Sequence, residues 1–184
     1  MKIRPWIKVW LLWTLTTTGG VTLVMMLPIA SPLMPLTPVA IATLTGLFQT
    51  GVVAYLKLIR RPWLWIVITA AGGCLNLVMG FMLSQATLGA ITSGVFLGFL
   101  QSLLLKTSGH RRLRWTSSAV LWIMVTALSY GFAGFWVINL QGIGGLNPPI
   151  WIGLQAGLMA GALKGAVVAP LVDSPKAQTD RLEG

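Results

Sequence analysis

Acidic residues are nearly absent from this chain. Only Asp173, Asp180 and Glu183 occur among 184 residues, and all three follow residue 172. The apolar body of the chain therefore holds no carboxylate to relay protons, bind sodium or coordinate a divalent cation. Histidine is limited to His110, in the basic stretch SGHRRLR, and cysteine to Cys74. One histidine cannot supply a haem pair, and no His/Cys/Asp/Glu cluster exists for zinc or iron. A Ser-His-Asp or Cys-His set cannot be built within the apolar segments. A lone cysteine makes no intrachain disulfide and reads as a small apolar residue. The expectation is a protein that is not an enzyme and uses no metal and no cofactor.

Charge of either sign is scarce. Charged residues make up 9% of the chain and hydrophobic ones 55%, where soluble domains carry about a quarter charged residues. Six apolar stretches can be read, at roughly 9–27, 38–56, 63–83, 88–105, 115–138 and 149–170. Each is long enough for a helix to cross a hydrocarbon core of about 30 Å. The first stretch follows Lys2, Arg4 and Lys8. It is too long for a signal-peptide core and has no small-x-small cleavage site before Pro28, so it reads as an uncleaved membrane helix. These spans predict an all-α integral membrane domain over residues 1–172, with 173–184 as a polar tail.

The basic residues are segregated. Lys2, Arg4 and Lys8 precede the first span, Lys57, Arg60 and Arg61 separate the second from the third, and Lys106, Arg111, Arg112 and Arg114 separate the fourth from the fifth. Lys176 and Arg181 lie in the tail, and the other three connections carry no charge. By the positive-inside rule both termini and the basic loops face the cytoplasm. The net charge of +10 is thus a topology signal and not a nucleic-acid footprint. Lys57, Arg60, Arg61, Arg111, Arg112 and Arg114 form a basic rim suited to anionic headgroups of the bilayer or to the acidic face of another membrane subunit.

An internal pattern recurs three times. The first, third and fifth spans contain Trp10, Trp63 and Trp122, followed nine residues later by Gly19, Gly72 and Gly131. The second, fourth and sixth contain ATLTGLFQ, GVFLGFLQ and GLMAGALK, which align as small-x-x-x-Gly-x-x-polar. The aligned residues are Ala42, Gly46 and Gln49, then Gly94, Gly98 and Gln101, then Gly157, Gly161 and Lys164. The expectation is three tandem two-helix repeats, at about 5–58, 59–108 and 112–170. Small residues four apart let helix backbones approach closely in lipid, and positions i, i+4 and i+7 share a face. If those three faces meet, the second, fourth and sixth spans form an inner layer. Thr37 with Pro38, and Asn147 with Pro148, read as N-cap and first-turn pairs. Trp6, Trp63 and Trp115, and at the other side Trp136 and Trp151, fit interfacial belts. Trp10, Trp13, Trp65 and Trp122 lie deeper and read as packing residues.

Gln49, Gln101 and Lys164 form a candidate polar cluster. Two readings of Lys164 stay open. Its stem either snorkels to the cytoplasmic headgroups, or its ammonium is held inward by the Gln49 and Gln101 carbonyls. A lysine at the centre of a membrane helix costs about 2.5–3.5 kcal/mol on insertion scales.

The pattern Gly-x-x-x-Gly-x-x-Gln, followed by a basic loop and a Trp-containing helix, resembles small multi-pass membrane proteins of cyanobacterial type. In those proteins Trp often follows the Gln, whereas Thr50 and Ser102 stand here and Lys164 replaces the third Gln. The resemblance implies a plasma or thylakoid membrane location and supplies no activity. Three two-helix units also share the symmetry of mitochondrial carriers, without their Pro-x-acid-x-x-basic signature. The composition favours a non-catalytic scaffold, assembly factor or accessory subunit. The alternative is a small transporter or substrate-binding subunit for an anionic or neutral solute.

Overall fold

The computed structural model describes residues 4–27, 36–83, 85–107, 115–142 and 149–172; within these, nothing is stated of the side chains at 86, 106–107, 115–118, 136–142, 149 and 170–172. Six helices follow one another: α1 (Pro5–Met26), α2 (Thr37–Tyr55), α3 (Trp63–Met82), α4 (Ala86–Thr107), α5 (Trp115–Gly142) and α6 (Pro149–Val172). Among the described residues there is no strand. Five helices, all but α5, are long and apolar enough to cross a membrane, the make-up of a multi-pass membrane protein. The described apolar stretch of α5 is the shorter Ala119–Phe135. Arg111, Arg112, Arg114 and His110, the side chains of Trp115 and Trp136, the Asn147–Pro148 pair and the tail at 173–184 lie outside the described residues.

Helix boundaries follow local chemistry. Pro5 opens α1, where its missing N–H costs nothing. Helix α2 begins one residue earlier than its Thr-Pro pair suggests: Leu36 holds the N-cap position and Thr37 is already helical. At the other end of α2, the Leu58 amide donates to Val53 O and the Lys57 amide to Ala54 O, each at 3.0 Å. This is a Schellman stop with Lys57 at the left-handed position, φ 52°. Its apolar closure is also present, since Val53 and Leu58 share one buried cluster.

The helices form a closed ring. Each packs against its two sequence neighbours, and α6 packs along α1 to complete the circle. The small faces of α2, α4 and α6 do not meet on the axis, so the expected inner layer is replaced by this single ring. Each small face lies instead against the following odd-numbered helix. A Cβ on Gly46 would sit 2.9 Å from Thr69 Cβ in α3; on Gly98, 2.8 Å from Ile123 Cα and 3.1 Å from Thr126 Cβ in α5; on Gly161, 2.8 Å from Thr14 Cα and 3.1 Å from Thr17 Cβ in α1. Gly94 meets Ala127 Cα at 2.8 Å and Gly157 meets Thr18 Cα at 2.6 Å, while Ala42 abuts Gly73. Such approaches leave no room for a side chain and explain the glycines. Outward-facing residues such as Leu15, Val67, Phe81, Phe99, Leu128 and Leu158 are large, apolar and exposed, the surface a lipid solvent requires. Trp6, Trp63 and Trp151 are also exposed.

Candidate functional site

The ring is plugged at the end that carries Arg60 and Arg61. Trp13 of α1, Trp65 of α3 and Trp122 of α5 meet there, all essentially inaccessible. Trp13 stands edge-on to Trp65 at 5.7 Å and to Trp122 at 5.8 Å between ring centroids, and Trp65 lies 6.2 Å from Trp122. Val9, Val52, Val53, Leu56, Leu58, Ile59 and Val168 complete this cluster. Edge-to-face indoles pack favourably, but each also brings an N–H donor that burial obliges to find an acceptor.

Each indole is followed four residues later by a threonine: Thr17, Thr69 and Thr126. The aligned polar residues of α2 and α4 reach these threonines. Gln49 Nε2 donates to Thr17 Oγ1 at 2.9 Å, and Gln101 Nε2 donates to Thr69 Oγ1 at 3.2 Å. Gln49 also accepts, through Oε1, from Trp65 Nε1 at 3.1 Å. The amide thus bridges the threonine of the preceding helix and the indole of the following one, using its donor and its acceptor. Thr17 and Thr69 in turn donate to Trp13 O and Trp65 O, four residues back, at 2.8 and 2.6 Å. The circuit is incomplete farther round. Gln101 Oε1, Trp122 Nε1, Thr126 Oγ1 and Trp13 Nε1 are buried and have no hydrogen-bond partner among the described residues.

Lys164 occupies the third of these positions and is 5% exposed. Its neighbours Gly161 and Gly165 lie against Thr14 and Trp10, which sets position 164 at the level of Trp13. A helical side chain leans toward the N-terminus of its helix. For α6 that is away from the basic end, so the stem rises into the bundle rather than toward that end. Nζ lies 5.0 Å from the centroid of the Tyr130 ring. No hydrogen bond to the Gln49 or Gln101 carbonyl forms; the first accepts from Trp65 and the second is unpaired. The structure therefore buries all three polar residues but does not join them into the cluster expected around the ammonium.

Above the tryptophan layer the ring encloses a cavity of about 380 Å³, within the range of small-molecule sites. Its inner end is polar, lined by Thr17, Gln49, Thr69, Ser129, Tyr130 and Lys164. Its walls carry Val21, Val24, Met25, Ile41 and Ala133, and it runs toward Leu27, Thr37 and Pro38, where α1 ends and α2 begins. Thr45 lines it with a buried, unpartnered hydroxyl, and Asn76 adds a further amide. The sequence signal missed was the Trp-x-x-x-Thr spacing; the cavity itself, and the part of Tyr130 in it, had none. Comparison with protein-family models, with curated proteins and with solved structures finds no match for this chain.

Proposed function

We propose that this protein is a small membrane-embedded carrier or substrate-binding protein, whose solute enters the central cavity from the side opposite the basic rim. The observation that carries this reading is the cavity of about 380 Å³ with a buried lysine at its closed end and no carboxylate among the described residues of its lining. A scaffold has no use for such a void, because empty space inside a helix bundle forfeits packing. The geometry therefore favours the solute-binding alternative over the accessory-subunit reading.

The finer architecture belongs to the same proposal: six membrane helices in three tandem two-helix units, both termini cytoplasmic, in a plasma or thylakoid membrane. Three sets of equivalent contacts support the units. Gly46, Gly98 and Gly161 meet Thr69, Thr126 and Thr17; Gly20 meets Thr45 and Gly72 meets Leu97, while Ser129 donates to Ala160 O; and the three tryptophans meet one another. Parallel units of this kind are related by an axis along the membrane normal. For orientation, cysteines at Arg61 and Gln85 in a Cys74→Ala background should label from opposite faces of the membrane.

The function is tested by extracting small molecules from protein purified in neutral nanodiscs. Wild type should release one compound in stoichiometric amount, and Ala133→Phe, which fills the cavity, should release little. Recovery of a stoichiometric protein partner and no small molecule would return the accessory-subunit reading.

A further inference from the structure

Resting on the cavity-binding reading, we propose that the ligand is an amphipathic oxyanion, with its head on Lys164 and its apolar body along Val21, Met25 and Ile41. Two independent features of the closed end converge on this chemistry. The first is charge. Lys164 is buried, lines the cavity, and its only described partner is the face of Tyr130. The three acidic side chains of the chain all follow residue 172, and the described lining of the cavity holds none. A buried ammonium without a counter-charge is held at high cost, and an anion removes that cost.

The second is the missing acceptor. At the α2 position the glutamine supplies a donor to the preceding threonine and an acceptor to the following indole. A lysine has donors only, so the same place in α6 offers nothing to the indole that follows it in the ring. That indole is Trp13, whose Nε1 is buried and unpartnered; Trp122 Nε1 is unpartnered too, but there the helix before it carries a free acceptor, Gln101 Oε1. An oxyanion seated beside Lys164 brings the oxygen that the amide of Gln49 brings elsewhere. The body of the ligand is mainly apolar, since the walls outward of this level are chiefly Val21, Val24, Met25, Ile41 and Ala133, with Thr45 and Asn76 among them, and the volume of about 380 Å³ suits a short single chain. Carboxylate and phosphate heads share the required chemistry.

The test uses the full chain in phosphatidylcholine nanodiscs with dodecanoate, dodecyl phosphate and dodecan-1-ol as probes, read by calorimetric titration and by thermal unfolding. Wild type should bind one or both anions about ten- to a hundredfold more tightly than the alcohol, the range expected for a hydrogen bond to a charged group; which anion is tighter identifies the head. Lys164→Gln should unfold at a higher temperature than wild type without ligand, because its amide oxygen serves Trp13, and should bind the alcohol but show no anion preference. Lys164→Met should also lose the preference, without the gain in unfolding temperature. Equal binding of alcohol and anions to wild type, or a preference that survives both substitutions, overturns the oxyanion assignment while leaving the cavity reading intact. Binding of none of the probes to wild type overturns both.

Discussion

Gln49 and Gln101 hold matching places in the sequence pattern, yet their replacement by leucine should have unequal consequences. Gln49→Leu removes two buried hydrogen bonds, to Thr17 at 2.9 Å and from Trp65 at 3.1 Å. Interhelical hydrogen bonds in membranes average about 0.6 kcal/mol each. Thr17 keeps its bond to Trp13 O, but the Trp65 indole has no second acceptor, and an orphaned buried donor costs about 1–3 kcal/mol. The total is about 2–4 kcal/mol. Gln101→Leu removes one longer bond, of 3.2 Å to Thr69, and Thr69 likewise keeps its bond to Trp65 O. It also removes a carbonyl that is already buried without a partner, which offsets the loss, so the net change should stay within about 1 kcal/mol. Leucine fills a similar volume at both places, so the packing changes largely cancel in the comparison. Reversible unfolding in mixed micelles of dodecyl maltoside and dodecyl sulfate, followed by tryptophan fluorescence, measures both variants on one scale. A double-mutant cycle between Gln49→Leu and Trp65→Phe should give a coupling near 1 kcal/mol. Equal losses for the two glutamines, or a larger loss for Gln101→Leu, would refute the assignment of the amide bridge to the second helix.

Three further substitutions test the packing and the turn. Gly157→Val places a side chain 2.6 Å from Thr18 Cα and should destabilise the bundle by more than about 2 kcal/mol in the same micelle assay, whereas Gly51→Ala, with nothing within 4 Å of the new Cβ, should be neutral or stabilise by up to about 1 kcal/mol. Lys57→Gly relieves a left-handed residue, φ 52°, and should raise stability by about 1 kcal/mol, read as a shift of the unfolding midpoint.

The helices were legible because length and hydropathy suffice to mark them. The apolar stretches read from the sequence fall within a few residues of α1 to α6 at nearly every end. The register of the interior was less legible. Trp10 aligns with Trp63 by spacing, but Trp13 is the residue that meets Trp65 and Trp122. Trp10 instead donates from Nε1 to Ala162 O at 3.1 Å, on the α1–α6 seam. In lipid the outer face of a helix is as apolar as its inner face, so periodicity does not say which of two nearby tryptophans turns inward. The threonine four residues on separates Trp65 from Trp63, which is followed at that distance by Val67, but it does not separate Trp13 from Trp10, because Thr14 follows Trp10 as Thr17 follows Trp13. A shift of one residue likewise made Gly19 the apparent counterpart of Gly72, whereas Gly20 makes the close contact, 2.6 Å from Thr45. The direction of Lys164 was accessible in principle. The lean of helical side chains toward the N-terminus, combined with an α6 that ends on the side of Arg60 and Arg61, points the stem away from the basic end. The central cavity depends on how six faces close on one another, and no segment encodes that by itself.

The seam between α1 and α6 sets an order of assembly. α1 leaves the ribosome first and α6 last, yet Gly153, Gly157 and Gly161 press directly on Thr22, Thr18 and Thr14. Throughout synthesis of the intervening helices the threonine-rich flank of α1 has no mate and must be tolerated by lipid or by the insertion machinery. The hydroxyls of Thr14, Thr17 and Thr18 already bond the carbonyls of Trp10, Trp13 and Thr14 within their own helix, which makes that wait inexpensive. Until α6 arrives the bundle is an open arc, with Trp13 and the nascent cavity accessible from the bilayer. Closure of the ring, and capture of anything lodged inside it, therefore waits until the other five helices have been made.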